Sequence, residues 1–114
     1  MKSYSSYKDS GVKWIGEIPS HWDSKRLKHV SNFQSGYSFK SEDFSLDEEI
    51  PVVRIGDIGD IIDFNKCIKI PKTFLDEHRD FIIRKNDIMV GMTGGTIGKS
   101  GKYIYDEPSL LNQR

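Results

Sequence analysis

The residues from Asp87 to Gly101, Asp-Ile-Met-Val-Gly-Met-Thr-Gly-Gly-Thr-Ile-Gly-Lys-Ser-Gly, gather five glycines, two threonines and Lys99 directly after the apolar run Ile88–Val90. Glycine lets backbone approach a ligand closely, and its N–H groups can face an anion. A loop of this kind, held by a buried strand, is a natural place for binding. A nucleotide phosphate is the first candidate, and the spacing rejects it. A phosphate loop needs Gly, four residues, then Gly-Lys-Ser/Thr opening a helix. Gly98-Lys99-Ser100 supplies the second half, but the first glycine of the pattern falls on Thr93. Gly101-Lys-Tyr-Ile-Tyr105 then alternates and is aromatic, which predicts a strand where the helix should stand. Two readings stay open on these residues: a loop that faces another anion or a polymer, and a Gly-rich hairpin turn with no ligand.

The other chemistry-bearing residues suit binding better than catalysis. Arg54 ends a strand, Lys99 and Lys102 flank the glycine loop, and Gln34, Ser35, Tyr37 and Ser38 share a second polar turn. Side chains of these types contact phosphates and base edges. His21, His29 and His78 are scattered, and His78 sits among Glu77, Arg79 and Asp80 on what reads as a solvated face. Asp57, Asp60 and Asp63 recur every three residues, but a calcium loop wants more oxygen ligands and a bidentate Glu after them. Turn chemistry accounts for these aspartates. No Ser or Thr sits in a nucleophile-elbow pattern. The expectation is a chain with no catalytic residue and no metal ligand. Cys67 is the single cysteine, lies in the run Lys66–Ile70, and reads as a buried, inert strand residue.

The elements that would position these residues are mostly strands. Residues 1–10 are polar, Ser-rich and read as a flexible N-terminus. Val12 to Trp22, with two tryptophans, two isoleucines and a proline, reads as an extended segment that docks by its aromatics. Asp23 or Ser24 could cap a short helix to about Val30, with Leu27, Val30 and Phe33 on one face and Lys25, Arg26 and Lys28 on the other. Glu42 to Glu49 reads as an acidic loop or single turn. Ile50 to Ile55 predicts a strand that tolerates Pro51 at its start. Gly56 to Asp60 predicts a turn and Ile61 to Ile70 a hairpin-like stretch. Pro71 to Asp80 carries a helix start with Thr73 as cap. Phe81–Arg84, Ile88–Val90, Thr96–Ile97 and Tyr103–Tyr105 read as strands.

Bulk properties bound the rest. At 114 residues the chain is one domain or part of one. Net charge is zero, but its distribution is uneven: +4 over residues 1–40, −7 over 41–63 and +3 over 64–114. That pattern suits a basic face without establishing one. No apolar run approaches membrane-spanning length, and the N-terminus lacks an apolar signal core. A cytoplasmic protein that contacts no membrane is expected.

Taken in order, these segments resemble the target recognition domain of the specificity subunit of type I restriction-modification systems. The resemblance is carried by Tyr7-Lys-Asp-Ser-Gly-Val-Lys-Trp-Ile-Gly-Glu-Ile-Pro-Ser-His-Trp22 with Lys25-Arg-Leu-Lys28, then Ser35-Gly-Tyr-Ser-Phe-Lys-Ser41, then Ile50-Pro-Val-Val-Arg-Ile-Gly-Asp-Ile58, then the glycine loop, and last Leu111-Asn-Gln-Arg114. It implies an α+β fold with a curved, twisted, mostly antiparallel sheet and short flanking helices. Residues 11–114 would then form the N-terminal part of a recognition domain, about its first two-thirds. Such subunits are non-catalytic, and each domain reads one half of a bipartite double-stranded DNA target. Modification subunits methylate adenine with S-adenosylmethionine, and an ATP-driven restriction subunit cleaves. The resemblance therefore implies no cofactor on this chain itself. It points to Lys99, Lys102 and Arg54 at phosphates, and to Thr93, Thr96, Gln34 and Tyr37 near bases. Gly94, Gly95, Ser35, Ser38 and Lys40 belong to the same two DNA-facing loops. The alternative is a truncated subunit that forms a homo-oligomer or binds another chain through an exposed edge, without DNA recognition of its own.

Overall fold

The computed structural model describes residues 3–114, with Thr96 described for its backbone alone. The chain divides into two compact units between Phe33 and Gln34. Among the described residues no helix is long and apolar enough to cross a membrane.

The first unit is built on a two-stranded antiparallel ribbon. Strand β1 (Tyr7–Asp9) pairs with β2 (Glu17–Pro19), Lys8 opposite Ile18. The strand β1 lies inside the Ser-rich stretch that composition alone reads as flexible. Side chains shape the connection: Asp9 Oδ1 accepts from the Gly11 N–H (3.0 Å) and Ser10 Oγ from the Val12 N–H (3.2 Å). These are local turn bonds of the kind short polar residues make. Trp14, at its tip, is 86% exposed and anchors nothing within the unit, contrary to the expectation for it. Trp22 packs edge-on against Tyr4, ring centroids 5.7 Å apart.

The helix expected over residues 24–30 shrinks to one 3₁₀ turn, Leu27–His29. Its cap position is Arg26, which makes no side-chain cap bond, and Asp23 instead pairs with Lys8 at 3.5 Å. Leu27, Val30 and Phe33 are all exposed. A helix this short needs a buried face to hold it, and here that face has no cover.

The second unit centres on a four-stranded sheet. Its strands are β3 (Ile50–Val53), β4 (Lys69–Ile70), β5 (Ile82–Ile83) and β8 (Ser109–Leu111), in the spatial order β4-β3-β8-β5. β3 and β8 run parallel, Val52 opposite Leu110 and Val53 opposite Leu111, and the outer strands pair antiparallel. Alternating side chains feed two cores. Val53, Ile83 and Leu111 join Ile58, Ile62, Cys67, Met89 and Tyr103 in one, and Ile50, Val52, Ile70 and Leu110 join Phe39, Phe74 and Phe81 in the other. Burial on both faces explains why the central strands are apolar without alternation. With short helices beside mostly antiparallel pairs, the α+β class holds.

Around this sheet the elements are shorter than their sequence signals. The 61–70 stretch has strand only at Lys69–Ile70, so Cys67 lies in a bend rather than a strand. Tyr105 Oη accepts the Ile62 N–H (2.9 Å) and holds that loop. Helix α1 (Phe74–Glu77) is a single turn, and Thr73 makes no side-chain cap bond. Residues 94–96 form a 3₁₀ turn where Thr96–Ile97 suggested strand.

Strands β6 (Ile88–Val90) and β7 (Ser100–Lys102) form an antiparallel hairpin, Met89 opposite Gly101. Only Met89 of β6 is buried; Ile88 and Val90 face outward, because one side of a two-stranded ribbon has no layer above it. The expected strand at Tyr103–Tyr105 is thus displaced to Ser100–Lys102, and Tyr103 instead enters the core, where its hydroxyl donates to the Glu107 carbonyl (2.7 Å) and lies 2.7 Å from Ser109 Oγ.

Two glycines are fixed by backbone proximity. A Cβ at Gly101 would overlap the Gly59 carbonyl, and one at Gly36 would overlap the Asn112 carbonyl. At Gly95 the same Cβ would meet open space. Gly101→Ala is expected to lower the unfolding free energy by about 1–3 kcal/mol, with Gly95→Ala near neutral. Urea melts of the two variants check this.

Candidate nucleic-acid interface

The glycine-rich segment is the tip of the β6–β7 hairpin. The Gly91 N–H donates to the Lys99 carbonyl (2.7 Å) and the Gly98 N–H to the Gly91 carbonyl (2.8 Å). Gly94 (φ 73°) and Gly98 (φ 87°) take the left-handed backbone that lets the tip reverse twice. A β-strand, not a helix, follows Ser100, so the phosphate-loop reading fails on structure as it does on spacing. Lys99 and Lys102 are exposed, and neither is ion-paired among the described residues.

Thr93 and Gly94 line a cleft of about 470 Å³ together with Ile55 and Arg114. The Met92 N–H donates to the Arg114 carbonyl (2.9 Å), which ties the hairpin to the segment leaving β8. Arg54 precedes Ile55 in the chain. Its N–H donates to Asp57 Oδ2 (2.9 Å) and its guanidinium Nε lies 4.0 Å from the same oxygen. Asp57 thereby caps the 3₁₀ turn Ile55–Asp57 and holds Arg54 in place. Asp63 serves its own turn in the same way, accepting the Asn65 N–H (3.1 Å). The Thr96 side chain lies outside the described residues.

The other sequence candidates fall elsewhere. Tyr37 and Lys40 line a second cleft, of about 310 Å³, whose wall also includes Phe74, His78, Glu42, Asp43 and Glu77. The two clefts share no lining residue. Gln34 turns its carboxamide back to the Ser35 carbonyl (3.0 Å), and Gln34, Ser35 and Ser38 are exposed. The turn is docked by the Tyr37 N–H donating to the Leu111 carbonyl (2.9 Å) and by Gly36 against Asn112. Residues 111–114 therefore run from the Tyr37 turn to the glycine hairpin. Sequence analysis placed His78 on a solvated face and named Arg114 only within the terminal motif; the fold instead half-buries His78 against Tyr37 and Phe74 and brings Arg114 to the hairpin cleft. No local pattern marks either, since both gain their surroundings from distant strands.

The family model described as type I restriction modification DNA specificity domain matches residues 19–114. The chain is 30% identical over 105 residues to the type I restriction enzyme MjaVIII specificity subunit of Methanocaldococcus jannaschii, covering 88% of this chain and 24% of that protein. It is 30% identical over 103 residues to the EcoAI specificity subunit of Escherichia coli, covering 86% of this chain and 17% of that protein. The chain thus spans a quarter or less of the length of these relatives. No solved structure matches it.

Cys67 is fully buried behind this surface, and burial, with Asp57 adding to it, pushes its thiol up to about 11 from 9.0. Burial likewise raises the Tyr103 hydroxyl. Both groups are neutral in the fold and lose protons earlier when unfolded; the Cys67 contribution is complete below pH 9.0 and is lost as pH rises toward about 11, and that of Tyr103 is complete below its ordinary value of 10.0 and is lost above it. At pH 8 iodoacetamide is expected to alkylate folded Cys67 about 100-fold or more slowly than the urea-unfolded chain. Mass spectrometry over time measures both rates.

Proposed function

Since the chain belongs to the family of type I restriction modification DNA specificity domains, we propose that it is a DNA-reading module that contacts one half of a bipartite duplex target. The observation that carries this reading is the charge and backbone of the β6–β7 hairpin. The hairpin presents two exposed lysines, Lys99 at its tip and Lys102 at its base opposite Ile88, neither ion-paired among the described residues, while Thr93 and Gly94 of the tip line the cleft with Ile55 and Arg114. Lysine and arginine neutralise phosphates and supply most of the affinity, while hydroxyls and backbone at close range read base edges. In this proposal Lys99, Lys102, Arg54 and Arg114 meet phosphates, with Arg54 preset by Asp57. Thr93, Gly94, Gly95 and Thr96 approach the groove. Gln34, Ser35 and Ser38 form the neighbouring exposed turn. Tyr37 and Lys40 stand beside three carboxylates, which makes their cleft a poorer host for phosphate than the hairpin.

The chain itself would be non-catalytic and hold no cofactor. Methylation with S-adenosylmethionine and ATP-driven cleavage would belong to modification and restriction subunits bound to the whole specificity subunit, in the cytoplasm. The alternative of a homo-oligomer without DNA recognition finds no support in the family match.

The test is retention of a randomised duplex pool at two salt concentrations, followed by sequencing. A short enriched motif supports the proposal, and no retention at either salt overturns it. Lys99→Ala and Lys102→Ala are each expected to flatten the slope of log K against log salt by about 0.9, with no change in the motif. Thr93→Ala is expected to relax discrimination at one base pair by about 1–3 kcal/mol, read by fluorescence anisotropy on matched and mismatched duplexes.

A further inference from the structure

The second cleft has a chemistry opposite to that of the hairpin tip. Its floor is aromatic. The Tyr37 ring lies 4.9 Å from Phe39 and 4.5 Å from His78, and Phe74 stacks on His78 at 5.6 Å with an 11° interplanar angle. Tyr37 and Phe39 meet at 65°, and Tyr37 and His78 at 58°, so the rings pack on one another as a tilted cluster and not a flat stack. Tyr37 remains 41% exposed at the centre of this cluster. The His78 Nδ1–H is committed to the Phe74 carbonyl (3.1 Å), which fixes the imidazole plane.

The rim is acidic. Glu42 and Asp43 come from the 3₁₀ turn Ser41–Asp43, and Glu77 from the end of α1. None of the three is ion-paired among the described residues, and Lys40 is the one Lys or Arg in the lining. Aromatic faces attract cations through their quadrupole, and carboxylates at the rim add direct attraction. A guanidinium satisfies both features at once, because its plane stacks on a ring while its fork of N–H donors meets a carboxylate. A phosphate would meet repulsion at the same place.

We propose that this cleft is a docking site for an arginine side chain of a protein partner. The inference is independent of the DNA-reading proposal: it uses different residues, and either can fail alone.

The whole 114-residue chain, with aromatic side chains observed by NMR, is titrated with acetyl-Gly-Arg-Gly-amide and with its neutral citrulline counterpart. The arginine peptide is expected to shift the Tyr37 and His78 ring signals with a Kd of about 1–10 mM, and the citrulline peptide to leave them in place. Glu77→Gln and Glu42→Gln, both at exposed positions that leave the fold intact, are each expected to weaken binding at least about threefold. Equal shifts with both peptides, no shift at all, or binding unchanged in both variants would overturn the proposal. So would a duplex oligonucleotide that moves the same ring signals, since that would assign the cleft to DNA.

Discussion

The parallel pairing of β3 with β8 is the contact on which the second unit rests. Val52 and Leu110 face each other across it, fully buried, and Val53 stands on the reverse side equally buried. The two strands come from positions far apart in the chain, so closing this pair costs loop entropy that only burial on both faces offsets. Once it forms, one row of side chains faces the phenylalanine core and the next faces the core around Tyr103. The same pairing sets the path of residues 111–114. The Asn112 N–H bonds to the Val53 carbonyl (3.0 Å), and from there the chain passes Gly36 and reaches Met92. Both surface clefts are therefore consequences of one strand pairing.

Backbone proximity does the finer positioning. Gly101 lies against the Gly59 backbone, which seats the β6–β7 hairpin on the loop after β3, and Gly36 lies against Asn112, which seats the Tyr37 turn on the end of β8. Neither contact leaves room for a side chain. The hairpin tip beyond Gly91 makes no such close backbone approach at Gly94, Gly95 or Gly98, so apart from the left-handed Gly94 and Gly98 its positions can change without disturbing the sheet that holds it.

Charge is sorted across the same scaffold. Lys99 and Lys102 stand exposed on the hairpin and without an ion pair among the described residues, and Arg114 lines the cleft beside its tip, whereas Glu42, Asp43 and Glu77 gather at the aromatic cleft. The net charge of zero conceals this separation. A neutral chain thus separates a cationic hairpin from an anionic, aromatic cleft, so that a ligand of one sign is attracted to one place and repelled from the other.

The sequence by itself determined the strand that starts at Ile50-Pro51, the strand at Ile88–Val90, the Gly-rich turn after it and the exclusion of a phosphate loop. These depend on glycine and proline backbone preferences and on alternation over a few residues, which act locally. The ordered motifs from Tyr7 to Arg114 also pointed to the family, which the match over residues 19–114 shows. Tertiary structure decided the rest. The apparent helix near Leu27 reduces to one turn because nothing in its unit covers its apolar face. Ile88 and Val90 turn outward because a two-stranded ribbon has only one packed side. Cys67 is buried in a cluster with Val53, Ile83, Met89 and Tyr103, all distant in sequence, and Tyr37 acquires its acidic neighbours from α1 and the 41–43 turn. Arg114 reaches the glycine hairpin only through the β3–β8 pairing. Each of these outcomes depends on which distant segments pack together, and that information resides in long-range contacts that no local window of sequence contains.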